Sequence, residues 1–111
     1  MDRSFTKENF MVLAMLYVAN VDGKIQPDEV RAMLDRFEPA TVAETRRMFN
    51  KMNDTELIAC IEENKAIFVP TEADRSNLVN DLHRIVDADD KRLPIEEYML
   101  HEVEALLSRQ S

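Results

Sequence analysis

Residues 10–19 form an apolar run with no polar break. A membrane-spanning helix needs roughly 20 such residues, so this run predicts a buried helix, spanning 6–21, at the core of the fold. Elsewhere the apolar residues recur at helical spacing. Val30, Met33, Leu34 and Phe37 fall at i, i+3, i+4 and i+7 behind Pro27, which suits the first position of a helix. Pro39 stops that helix, and Thr41 with Glu44 resembles a capping box opening a third, which turns Val42, Phe49 and Met52 inward. Asn53 with Glu56 repeats the signal for a fourth, with Leu57, Ile58 and Ile61 as its stripe. Ile67-Phe68-Val69-Pro70 reads as the end of that helix plus a packed connection. Thr71 and Asp74 open a fifth helix carrying Leu78, Leu82, Ile85 and Val86. Pro94 opens a sixth, whose buried face is Ile95, Tyr98, Met99, Val103, Leu106 and Leu107. No segment reads as a strand, so the prediction is an all-α bundle of about six helices.

Two of the helix starts are copies of each other. Val21-Asp22-Gly23-Lys24-Ile25-Gln26-Pro27-Asp28-Glu29 and Ala88-Asp89-Asp90-Lys91-Arg92-Leu93-Pro94-Ile95-Glu96 align without a gap. Asp22/Asp89, Lys24/Lys91, Pro27/Pro94 and Glu29/Glu96 are each 67 positions apart. A spacing kept over four residue types points to an internal duplication of a helix, an acidic turn and a helix. The expected layout is a single domain over 1–111, with repeat one at 6–37, connecting helices at 38–70 and repeat two at 71–109. Whether the two acidic turns meet is not decided by the sequence.

The charge narrows the partners. A net charge of −8 lacks the clustered Lys and Arg that phosphate backbones require, which argues against nucleic acid and favours cations or basic protein surfaces. No segment suits membrane insertion and no leader pattern is present, so a cytoplasmic protein is expected. The single Cys60 forms no internal disulfide and, within an apolar stretch, reads as a small buried hydrophobe. Gly23 is the only glycine, which excludes a phosphate-cradling loop, and no Ser or Cys sits in a nucleophile context. The expectation is that the protein is not an enzyme. Seven methionines in a chain without Trp read as core fillers. His83 and Asp87 are four apart on one helix, a spacing that reads as a boundary histidine more readily than a metal clamp. His101-Glu102 lacks the second His of a zinc-protease helix, since position 105 is Ala.

Val18-Ala19-Asn20-Val21-Asp22-Gly23-Lys24-Ile25, followed by Glu29, resembles the first signature of the tellurite-resistance TerB-like family. Asp89-Asp90-Lys91-Arg92-Leu93-Pro94-Ile95-Glu96-Glu97-Tyr98-Met99-Leu100 resembles its second. The family also includes the N-terminal region of DnaJ-like membrane co-chaperones. The resemblance implies a helical domain built on a pseudo-repeat, cytoplasmic in bacteria, in a stress-response setting, with acidic residues holding a divalent cation. Asp90 stands where the second signature has Gly, and Arg92 where it has an apolar residue.

The candidate ligands are Asp22 and Glu29 from the first copy and Asp89 and Glu96 from the second, with Asp28, Asp87, Asp90 and Glu97 in reserve. These are hard oxygen donors, suited to calcium or magnesium ahead of zinc. The bland alternative is that they cap helix starts and offset the dipole. A degenerate EF-hand places Asp22 at loop position 5, Gly23 at 6, Ile25 at 8 and Glu29 at 12, but puts Val18 at position 1 and Asn20 at 3. The second copy puts Ile85 at position 1 and Asp90 in place of the Gly. Losing the first ligand twice demotes the calcium sensor to a third choice. The leading expectation is a binding or scaffold module modulated by a divalent cation; the rival is a metal-free acidic adaptor for a basic protein partner. Homodimerisation is left open by the sequence.

Overall fold

The computed structural model describes residues 5–20, 25–89 and 94–108. Among them are six α-helices and no strand: α1 (Lys7–Ala19), α2 (Pro27–Arg36), α3 (Pro39–Asn50), α4 (Asp54–Phe68), α5 (Glu72–Val86) and α6 (Pro94–Ser108). A short 3-10 turn, Asp87–Asp89, extends α5.

Local chemistry sets most boundaries. Thr6 caps α1 by accepting from the Asn9 N–H at 3.2 Å, while Asn9 Oδ1 accepts the Thr6 N–H at 2.9 Å. Asn53 and Glu56 make the same reciprocal pair at the start of α4. Thr71 accepts from the Asp74 N–H to open α5. The expected start of α3 is corrected. Pro39 begins that helix as well as ending the previous one, because its fixed φ suits a first helical position and holds Glu38 extended (ψ 142°). Thr41 is therefore inside α3, where its carbonyl accepts the Thr45 hydroxyl at 2.7 Å.

α1 is the axis of the molecule, packing against α3, α4, α5 and α6. Of residues 9–19 only Tyr17 is not buried. Phe10, Leu13, Met15 and Leu16 from α1 meet Met33, Ile61, Leu78, Leu82 and Val103 in one continuous core. Phe68 stacks between Phe5 and Phe10, at centroid distances of 6.0 and 5.5 Å, and seals the end of α4 with the buried Val69. Met11, Met15 and Met33 fill core space, as shape-filling methionines do. Four residues assigned to buried stripes face outward instead: Leu34, Ile58, Ile95 and Tyr98. Each lies at the edge of its stripe, beside neighbours that are buried or half-buried. Cys60 is half-buried; burial first, then the Glu63 charge, pushes its thiol pKa up against a lowering contact from Asn64.

Candidate functional site

The repeated Pro-x-Glu places a glutamate at the third position of α2 and again of α6. Both are buried: Glu29 is 0% exposed and Glu96 4%. Glu29 Oε1 accepts the Gln26 N–H at 2.9 Å, satisfying a donor that α2 cannot reach from within. A buried carboxylate is costly to desolvate, so two at matching positions mark a deliberate feature of each repeat. The secondary candidates behave differently. Asp28, Asp87 and Glu97 are exposed, and Asp28 makes only a 4.0 Å contact with Arg31. Asp22 and Asp90 lie outside the described residues, as does Gly23, and Asp89 is described only as the last residue of the 3-10 turn. Among the described residues no three His, Cys, Asp or Glu side chains are grouped to hold a metal ion. His83 is half-exposed in the last turn of α5, where its carbonyl accepts the Asp87 N–H.

Helix packing decides where the two helix starts lie. Arg36 Nη2 meets Asp81 Oδ2 at 2.8 Å, and one shallow surface cleft is lined by Ala32, Arg36, Asp81 and Ile85. Rising numbers on α2 thus meet falling numbers on α5, so the pair is antiparallel and the start of α2 packs on the 3-10 turn. α6 runs opposite to α1 as well: Phe68, at the end of α4, meets Phe5 and Phe10 at the start of α1, while Lys65 of the same stretch holds the Leu106 carbonyl near the end of α6. The connections 20–26 and 90–93 are short, so all four helix ends flanking the acidic turns share one end of the molecule. Glu29 and Glu96 both belong to that end.

A family model described as tellurite resistance protein TerB matches residues 8–110, nearly the whole chain. The chain belongs to the TerB family. Neither the curated proteins nor the solved structures contain a significant match. No helix among the described residues of this TerB domain is long and apolar enough to cross a membrane.

The TerB chain also carries buried polar contacts that sequence reasoning missed. Asn9 Nδ2 donates to Thr45 Oγ1 at 2.8 Å, joining α1 to α3 in the core. Lys65 is buried and its Nζ donates to the Leu106 carbonyl at 2.9 Å, holding the last turn of α6 to α4. Asp81, with its side chain 6% exposed, pairs with Arg36 and, at 3.9 Å, with Arg84. The Arg36 contact is short but off the angle of a good hydrogen bond, so it acts chiefly as an ion pair. One of these was legible in principle: Asp81 falls between Leu78 and Leu82 on an otherwise apolar face, and a polar residue there calls for a partner. Arg36, Lys7 and Asn77 also line a cleft of about 460 Å³ between α1, α2 and α5.

Proposed function

We propose that this TerB-family domain is a non-enzymatic binding module, acting in a cytoplasmic stress response, whose state is set by a divalent cation. Asp22 and Glu29, with Asp89 and Glu96, are its proposed ligands. The reading is carried by one observation: the two repeat-related glutamates are buried at helix starts that share one end of the molecule. Buried carboxylates are hard oxygen donors held in fixed positions, and each lies at a helix N-terminus. The donor set contains oxygen alone, which suits calcium or magnesium; zinc prefers thiolate and imidazole. A cation bridging the first turns of α2 and α6 would clamp the two repeats together. The surface presented to a basic protein partner would then depend on its occupancy.

Amide NMR of EDTA-treated protein, titrated with calcium, magnesium and zinc in turn, tests this. The expected result is saturable shifts around Glu29 and Glu96, abolished by Asp22→Asn combined with Asp89→Asn. Binding at a hundred times Kd should also add about 2.7 kcal/mol to stability. Weak shifts scattered over the acidic surface would reduce the glutamates to caps and remove the cation.

A further inference from the structure

At the end of the molecule away from the acidic turns, the first turns of α1, the last residue of α2 and one face of α5 enclose the cleft of about 460 Å³. That size suits a small organic molecule. Its floor is apolar, made by the buried Met11, Val69 and Leu78. Lys7 and Glu8 stand exposed at the rim with the half-buried Asp74. Asp81 also lines the cleft, its side chain only 6% exposed. Asp74 and Asp81 lie two turns apart on one face of α5, roughly 10 Å along its axis, with Leu78 between them.

Asp81 is the unusual member. A carboxylate can accept several hydrogen bonds. Among the described residues nothing donates one to its buried Oδ2, and its Oδ1 has only Arg84 at 3.9 Å. Arg36 compensates the charge at 2.8 Å but leaves the acceptor positions open. Such a group is stabilised by a donor that arrives with the right geometry. The two members of the ion pair also differ in what they lose on separation. Arg36 is half-exposed and its guanidinium lies 5.8 Å from the centre of the Phe37 ring, so water and the ring still serve it. Asp81 has no such recourse. An anionic ligand would draw Arg36 off and strand a buried carboxylate. A cationic ligand would satisfy that carboxylate and release a guanidinium that solvent reaches. Three carboxylates against two cations around the cleft give the same sign.

We propose that this cleft binds a short linear aliphatic diamine, the simplest member of the polyamine class. One ammonium donates to Asp81 in the depth, where a charge-assisted hydrogen bond fills the open acceptor. The methylene chain lies over Met11 and Leu78, and the second ammonium reaches Asp74 and Glu8 at the rim. A chain of about five methylenes, with a hydrogen bond at each end, spans the separation of the two α5 carboxylates. A charged group, an apolar stretch and a second charged group thus follow in the same order along the ligand and along α5. The proposal stands apart from the cation reading and does not require it.

The test titrates the full chain, in EDTA at low salt, with cadaverine, pentylamine and glutarate, read by calorimetry and by amide NMR shifts. EDTA removes any divalent cation, and the cleft is remote from Glu29 and Glu96, so the two readings fail separately. Cadaverine should bind saturably, with shifts at Met11, Asn77, Leu78 and Asp81. Pentylamine, which lacks the second ammonium, should bind about tenfold more weakly, and glutarate not at all. Asp81→Asn and Asp74→Asn should each weaken cadaverine about tenfold. Asp74 reaches solvent, so its variant keeps the fold even where that of Asp81 is destabilised. Arg36→Ala should tighten cadaverine, because it removes the cation that competes for Asp81. Weaker binding in Arg36→Ala, or glutarate binding in place of cadaverine, would overturn the proposal. Equal losses from Asp74→Asn and from Asp28→Asn, an exposed carboxylate at the other end of the molecule, would reduce the binding to general charge attraction and overturn it too. Shifts that never saturate, or that centre on Glu29 and Glu96, would have the same effect.

Discussion

Asn9 shows how much one side chain can be asked to do. Its amide oxygen accepts from the backbone and hydroxyl of Thr6, and its amide nitrogen donates across the core to Thr45. The same residue thus ends the first turn of α1 and ties that helix to α3. Asn9→Ala should cost about 2 kcal/mol in denaturant unfolding, because it removes a cap partner and strands the buried Thr45 oxygen without its donor. A loss below about 0.5 kcal/mol, the scale of an indifferent surface change, would show that water replaces the amide. Glu29 combines a cap with burial in a similar way, and here the sequence was informative: proline followed two residues later by glutamate, repeated at 67 positions, marked both glutamates before any packing was known. Their burial was not legible. Burial depends on which helix lies across the first turn, and that is a long-range fact.

At the scale of elements, each helix start that carried a side-chain cap was found at its place: Thr6, Asn53 and Thr71 each accept from the N–H three residues on. Capping is local, so a window of four residues holds the whole signal. The start of α3 was misplaced because Pro39 satisfies two rules at once, ending one helix and beginning the next. The outward turn of Ile95 and Tyr98 was missed for a different reason. Periodicity gives the direction of a stripe but not how wide a partner covers it, and the buried face of α6 is Glu96, Leu100, Val103, Leu106 and Leu107. Pairing of elements is similarly hidden in the sequence. The contact of α2 with α5 rests largely on Arg36 and Asp81, since α2 contributes few buried residues of its own. Arg36→Ala should therefore cost about 1–2 kcal/mol, tempered by the solvent that reaches its guanidinium. Much of that should return when Asp81→Asn is added. A double variant that loses the sum of both single losses would mean that the pair is not coupled.

The whole molecule is a central helix wrapped by α3, α4, α5 and α6, with α2 packed on α5 and α3, and that arrangement reconciles the duplication with an odd inequality between the copies. α1 and α5 are counterparts in sequence position, but α1 is buried nearly throughout whereas α5 keeps a polar outer face. The connecting helices α3 and α4 account for the difference, since both pack against α1. This wrapping also carries a consequence for the order in which the protein is made. Within the domain α1 leaves the ribosome before every helix that covers it, and two of those helices, α5 and α6, come after α3 and α4. Until α5 and α6 emerge its apolar surface has only partial shelter, a state in which chains associate wrongly. A fragment ending at residue 70 should accordingly be helical yet sticky, binding hydrophobic dye and sedimenting as aggregates. If that fragment were monomeric and dye-silent, α3 and α4 alone would suffice to close the core. The burial that makes α1 the axis of the finished molecule also makes it the segment most in need of protection during synthesis.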